Sequence, residues 1–262
     1  AEIMGDVGRH LVLLFVAGRE WGEADHHGYS LLSGERHDFG QAIGDPRLAL
    51  LGTDSNSVAA FQRHVGLAVA YNAWQYFEAT QDRGWLTEHG AEIIVDVARL
   101  FASMAELDPA ADRFHLRGVM GPDEYHTGNP GDPGGGLNDN AYTNVMAAWV
   151  FDQAVWIMHS VQGFDMEELR VRLLITAAEI EAWEHLSRRM FVPFHNDGVI
   201  SQFDGYGALR ELDWKHYRRT YGLIERLDLI LEAEGDSTNH YRLAKQADVL
   251  MLLYVLGEDQ LI

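Results

Sequence analysis

Ile93-Ile94-Val95-Asp96-Val97-Ala98-Arg99-Leu100-Phe101-Ala102-Ser103-Met104 is the stretch that decides the fold class. Ile93, Ile94, Val97, Leu100, Phe101 and Met104 recur at three- and four-residue spacing, the period of an amphipathic helix and not of a strand. Upstream, Val58 to Thr80 carries Phe61, Val65, Ala68 and Tyr71 at the same spacing, with Trp74 and Phe77 continuing it. Downstream, Val145, Met146, Trp149, Val150, Trp156 and Ile157 mark a third helix. Leu173, Ala177, Ile180, Trp183, Leu186 and Met190 mark a fourth, and Leu223, Leu227, Ile230 and Leu231 a fifth. Leu243, Ala247, Leu250 and Tyr254 mark a sixth, with Asp236-Ser237 offering an N-cap ahead of it. Residues 1–18 read as one further apolar helix, and 19–57 as loop with short structure. Strand signals are few, so the class is all-α, with helical hairpins at the short connections. The long breaks, 108–138 and 192–206, are where function is expected.

Composition narrows the function classes. Forty acidic against 20 basic residues give a formal charge of −20, which opposes binding to nucleic acid or to anionic membrane surfaces. Neutral substrates meet no such barrier. No apolar run approaches the ~18 residues of a membrane span, and Ala1-Glu2-Ile3-Met4 lacks the basic start of a secretory signal. With no cysteine there is neither a disulfide framework nor a thiolate metal site, which suits a reducing, cytoplasmic setting.

Chemistry-bearing residues gather in the breaks. Arg117-Gly118-Val119-Met120-Gly121-Pro122-Asp123-Glu124-Tyr125-His126 places two glycines and a proline before two acids. A backbone path fixed in this way suits a catalytic carboxylate, and Tyr125 beside Glu124 would lend an apolar wall that keeps it protonated. The plainer reading is a turn or helix start with acids in its first turn, and physics alone favours it. Asn138, Asn140 and Asn144 read as caps or as sugar contacts. Lys245-Gln246-Ala247-Asp248, taken as part of the last helix, reads as a solvated face or as hydrogen-bond donors to sugar hydroxyls. His64 is a core or surface histidine on residue type alone. Asp25-His26-His27 has no further ligand at a set spacing, so metal binding there is a weak reading. No HExxH, Walker loop, dinucleotide fingerprint or nucleophile elbow is present.

Taken together, Gly118 to His126 and Asn140-Ala141-Tyr142-Thr143-Asn144 resemble glycoside hydrolase family 65, the family of maltose, trehalose, kojibiose and nigerose phosphorylases and some hydrolases. The same resemblance extends to the run from Gln62 to Tyr76, to Ser201-Gln202-Phe203-Asp204-Gly205-Tyr206 and to Lys245-Gln246-Ala247-Asp248, all in matching order. It covers residues 57–262 as part of the family's central catalytic domain, and 1–56 as a segment that does not match. It implies a partial (α/α)6 barrel of the six-hairpin type. By position, Glu124 matches the general acid, Lys245 and Gln246 match residues that hold the glucose, and His64 falls in a substrate-side segment. The reaction implied is inverting: Glu124 protonates the glycosidic oxygen of an α-linked glucose disaccharide while inorganic phosphate attacks the anomeric carbon. No metal or organic cofactor is implied.

The resemblance also implies parts outside these 262 residues: a β-sandwich, the first barrel helices with a Trp-Asp motif, and a later phosphate-binding Ser-Gly and His. A six-hairpin barrel takes about 250–400 residues at ordinary element lengths, against about seven helices here. The expectation is an open toroid that self-associates, meets another segment or is covered by 1–56, and that is weakly active alone. Two alternatives stand beside the phosphorylase: an α-glucoside hydrolase, and a non-catalytic helical remnant or interaction module.

Overall fold

The computed structural model describes residues 27–29, 36–38, 61–132, 134–160, 164–246 and 248–256. The expected helix over 1–18 and the Asp25-His26 pair lie outside them. Within the segment expected to be loop, β1 (His27–Tyr29) pairs antiparallel with β2 (Arg36–Asp38). The described residues are otherwise dominated by helix, in keeping with the all-α expectation. From residue 58 they divide between two compact units. One is Val65–Ala105 with Ala147–Arg189; the other is Val58–His64, Glu106–Met146 and Met190–Ile262.

The first unit is built from apolar stripes. Its α1 (His64–Thr80) starts at a residue assigned to the other unit and buries Leu67, Ala70, Ala73, Trp74 and Phe77. The stripe expected from Phe61, Val65, Ala68 and Tyr71 is not the buried face: Val65 is about half exposed, and burial starts at Leu67. The helix begins only at His64, so the spacing before it carried no helical meaning. Trp74 meets Trp149 and Trp156 edge-on at 6.4 and 5.1 Å, an arrangement the ring quadrupoles favour. Asp82 caps the next helix, its Oδ1 accepting from the Trp85 N–H at 2.9 Å. That helix runs through α2 (Arg83–Trp85), a π turn (Leu86–Gly90) and α3 (Ala91–Met104). α3 buries Ile93, Ile94, Val97 and Phe101 as its spacing requires, but leaves Leu100 and Met104 less covered.

The stripe read as one fourth helix is two. α5 (Phe164–Leu173) stops where Leu174 takes φ 52°, and α6 (Ala177–Arg189) restarts behind Thr176. Thr176 and Glu179 form a capping box: the Glu179 N–H donates to Thr176 Oγ1, and the Thr176 N–H to Glu179 Oε2. Arg99 ties this corner to α3, donating to Glu179 at 2.7 Å and to the Leu173 carbonyl at 2.8 Å. α4 (Ala141–Ser160) is apolar nearly all round, burying Met146, Ala147, Val150, Phe151, Ala154 and Ile157.

The second unit is mostly irregular chain. β3 (Glu106–Asp108) and β4 (Arg113–His115) make a hairpin inside the expected break. α7 (Trp214–Tyr221), unanticipated, and α8 (Leu227–Ala233) pack Leu212, Tyr217, Leu227, Leu231 and Leu243 into a small core. The fifth helix thus starts later than expected, and Leu223 is exposed. α9 (Asp248–Leu256) begins after Lys245 and Gln246, so the expectation that these two sit on the last helix is corrected. Asp236-Ser237 also caps something else: Ser237 Oγ accepts from the Asn239 N–H in the short turn Thr238–His240. Among the described residues no helix is long and apolar enough to cross a membrane, and no cluster of three His, Asp or Glu is placed to hold a metal.

Candidate active site

The two glycines ahead of Glu124 have separate reasons: Gly118 takes φ 62°, and Gly121 has no room for a side chain. Val119 exchanges two backbone hydrogen bonds with Leu137, and the Met120 N–H donates to the Phe61 carbonyl. At Gly121 an added Cβ would lie 2.0 Å from Asp248 Oδ2 and 2.5 Å from Asn140 Nδ2, so only glycine fits there. Asn140 is the cap of α4, its Oδ1 accepting from the Thr143 N–H at 3.0 Å. Its Nδ2 donates to Asp248 Oδ2 at 3.1 Å and to the Gln202 carbonyl at 3.3 Å. Asn144 donates to Asp139 Oδ1 and to the Phe191 carbonyl. Both asparagines are buried, so the sugar-contact reading of these two gives way to the capping and bridging one.

Past Pro122 the chain presents one acid inward and the next outward. Asp123 is buried; Glu124 is exposed. Glu124 forms an ion pair with Lys245, whose Nζ donates to Glu124 Oε2. The carboxylate raises the Lys245 ammonium above the ordinary lysine value. The Glu124 N–H also donates, at 3.4 Å, to Gln246 Oε1. Three of the four residues singled out in the sequence therefore meet, across more than 120 positions of chain. The fourth, His64, joins the base of the same loop, with Nδ1 3.2 Å from the Met120 carbonyl oxygen. Burial lowers its pKa, and that hydrogen bond opposes the shift.

Tyr125, expected to lend Glu124 an apolar wall, is itself engaged by an apolar cluster. The Tyr125 ring packs on the Leu212, Tyr217 and Leu227 core. The side-chain partner of the Glu124 carboxyl is the Lys245 ammonium, and the Arg226 guanidinium also acts on it through its charge.

Asp123 organises the surroundings. Its Oδ2 receives Gln202 Nε2 at 2.7 Å and His126 Nδ1 at 2.9 Å. Its Oδ1 receives the Lys245 N–H at 2.8 Å and the Gln246 N–H at 3.3 Å. Burial alone would push this carboxyl up; the bonds from His126, the Lys245 amide and Gln202, together with the His126 charge, outweigh it and hold it below the ordinary range. His126 is fully buried, and its Nε2 meets the Tyr241 carbonyl at 2.9 Å. Each of its two contacts is a hydrogen bond only while that nitrogen carries a proton, since both partners are acceptors. Phe203 and Tyr206 close over its ring at 5.0 and 5.7 Å. Asp248, also buried, is the opposite case. Burial pushes it up to about 7, and its Oδ1 has no hydrogen-bond partner.

Sequence reasoning passed over Asp123, His126, Gln202 and Asp248 as working residues. Their one signal was membership of the quoted motifs; apart from the Asp123–His126 pair, three positions apart, the side-chain and amide partners that join them lie some 80 to 120 positions away, where no spacing rule reaches. Chemically, the arrangement offers an exposed carboxyl with an ammonium and an amide alongside, on a rigid polar base. That set can move a proton and bind hydroxyls.

Comparison with known proteins bears on the family. Residues 48–261 match the glycosyl hydrolase family 65 central catalytic domain. An uncharacterized glycosyl hydrolase of Mycobacterium tuberculosis H37Rv is 55% identical over 199 residues, which are 76% of this chain and 15% of that protein. Trehalose 6-phosphate phosphorylase of Lactococcus lactis is 40% identical over 200 residues, 76% of this chain and 24% of the relative. Kojibiose phosphorylase of Halothermothrix orenii is 32% identical over 203 residues, again 76% and 24%. This chain thus spans a quarter or less of the length of these relatives. A solved structure from the human microbiome, named provisionally as a kojibiose phosphorylase, superposes with a TM-score of 0.63 at 22% identity, over 76% of this chain and 26% of the other. The fold is all-α, of the (α/α)6-barrel type. With residues 48–261 matched by the family model, the chain belongs to glycosyl hydrolase family 65.

Proposed function

We propose that this site serves inverting phosphorolysis of an α-linked glucose disaccharide, with Glu124 as the general acid. The observation that carries the reading is the exposed Glu124 on a buried polar base, its carboxyl paired with Lys245 and its N–H donating to Gln246 Oε1. Glu124 gives its proton to the glycosidic oxygen as the C1–O bond breaks. An oxygen of inorganic phosphate, the co-substrate, bonds to C1 from the opposite face and gives β-glucose 1-phosphate. Lys245 and Gln246 donate to glucose hydroxyls. A sugar seated there displaces water and draws the ammonium off the carboxyl, which favours the neutral, proton-donating form. His64 shapes the substrate side through its hold on the Met120 carbonyl. No metal or organic cofactor enters this scheme, and the lack of cysteine fits a reducing, cytoplasmic setting.

Phosphate rather than water as the nucleophile is supported by the names of the 40% and 32% identical relatives, both phosphorylases. Hydrolysis is the second reading, because the 55% identical relative is named a glycosyl hydrolase. In that case a second carboxylate would serve as base, about 6.5–9.5 Å from the acid. The test is incubation with trehalose, trehalose 6-phosphate, kojibiose, nigerose and maltose, with and without phosphate. β-Glucose 1-phosphate formed only with phosphate is expected. Glucose released at the same rate without phosphate would replace this reading by the hydrolytic one.

A further inference from the structure

We propose that Asp123 is the positioning residue of this site: its carboxylate ties the Glu124 turn to the Lys245–Gln246 segment and so sets the spacing between the acid and the sugar-holding pair. The inference rests on the reading of Glu124, Lys245 and Gln246 as a glucoside site, and goes beyond it by assigning what holds them together.

The geometry carries the argument. Lys245 and Gln246 lie in irregular chain just before α9, so no helical hydrogen bond fixes either amide. The bonds that do are to Asp123 Oδ1, at 2.8 and 3.3 Å. The other oxygen, Oδ2, is held in turn by Gln202 and His126 at 2.7 and 2.9 Å. With the Tyr125 N–H, 3.4 Å from Oδ1, five donors on two oxygens leave the carboxylate one orientation. It is 1% exposed, so water cannot replace a partner that moves. Asp123 is also the residue before Glu124. Holding its side chain anchors the Cα from which the next peptide leaves, and the Glu124 N–H of that peptide reaches back to Gln246 Oε1. The two segments are thereby closed into a ring of hydrogen bonds in which Asp123 is the common member.

A second buried carboxyl nearby argues that the role is specific. Asp248 lies under the same turn, with Asn140 as its side-chain partner and one oxygen unpartnered. Its backbone N–H donates to the Gln246 carbonyl at 3.2 Å, but its carboxyl holds neither the Lys245 nor the Gln246 amide. Burial favours its neutral form, whereas the donors around Asp123 favour the anion. A charge-assisted clamp therefore exists at Asp123 and not at its neighbour.

The test uses the full chain and the near-isosteric Asp123→Asn. An amide there keeps one acceptor oxygen and turns an NH2 group against donors, so one half of the clamp opens. Two quantities are read: backbone amide hydrogen exchange at Lys245 and Gln246, and the affinity for glucose. Exchange at both amides is expected to speed up about tenfold or more, and glucose affinity to fall about tenfold. Amides of α6 should be unchanged, which separates a local loosening from loss of fold. Unchanged exchange and affinity in a folded Asp123→Asn protein would overturn the proposal. Lys245→Ala, run alongside, separates the two ideas. If it leaves glucose affinity intact, the site reading fails, while the exchange data still decide whether Asp123 clamps the segment. If Asp123→Asn does not fold, the unaltered chain decides. A Lys245 amide exchanging about tenfold slower than in an unfolded chain supports the clamp; exchange at the unprotected rate contradicts it.

Discussion

The two compact units solve the same problem, fixing a chain in space, with different chemistry. In the first, order comes from apolar side chains on helices. Trp74, Phe77, Phe101, Phe151 and Trp183 are buried, and the polar bonds that matter sit at helix ends, as at Thr176–Glu179. In the second, long stretches have no regular structure, and buried polar groups take over. Asp123, Asp139, Asp248, His126, Asn140 and Asn144 are all inside. Apolar burial is non-directional and tolerates small shifts, whereas a hydrogen bond fails within about an ångström. A site that must hold a carboxyl at a set place is therefore better built from the second kind of order, at the cost of desolvating charge.

The comparison can be broken most forcefully in the apolar unit. Trp183 is 1% exposed on α6, and Trp183→Ala should cost about 3–5 kcal/mol in urea unfolding. A loss below about 1 kcal/mol would mean that the helical unit is not held by its core. The next effect belongs to the polar unit and has the opposite sign. Asp248 is raised from its ordinary 3.8 to about 7, so the folded state holds its proton more tightly than the unfolded chain does. Its contribution is present in full below about pH 4 and is lost as pH rises through about 7. Asp248→Asn keeps an acceptor for Asn140 and should stabilise the protein at pH 8 by something on the order of 3 kcal/mol. Little difference is expected near pH 4, and equal shifts at both pH values would contradict the assignment. A smaller effect is expected at Asn140, which caps α4 and bridges to Asp248. Asn140→Ala should cost roughly 2 kcal/mol, and a neutral result would show that the polar network is not what orders this region.

The same contrast explains how much the sequence revealed. Helix α3 and much of α4 were legible because an apolar stripe reports its own burial. Where the stripe ran past a break it misled: Leu174 at positive φ splits what reads as one helix, and Val65 extends a face that is not buried. α7, with Tyr217 as its buried residue, gave no stripe to find. In the site, Glu124, Lys245, Gln246 and His64 were reached through motif likeness, and the first three do come together. Their surroundings were not legible. The Asp123 clamp joins residues some 80 and 120 positions apart, and the exposure of Glu124 follows from a turn whose direction the contacts at Gly121 set. The tyrosine beside the acid suggested an apolar wall by adjacency alone, and adjacency gave no sign that the ring packs on the Leu212, Tyr217 and Leu227 core.

The central claim, that Glu124 is the acid of a glucoside-cleaving site, is most directly tested by Glu124→Gln. The variant keeps the size of the side chain and an oxygen near Lys245, but has no proton to give. β-Glucose 1-phosphate formation from the disaccharide that the unaltered chain cleaves best should fall at least about a hundredfold, with the thermal melt unchanged. Turnover within a few-fold of the unaltered protein would contradict the account.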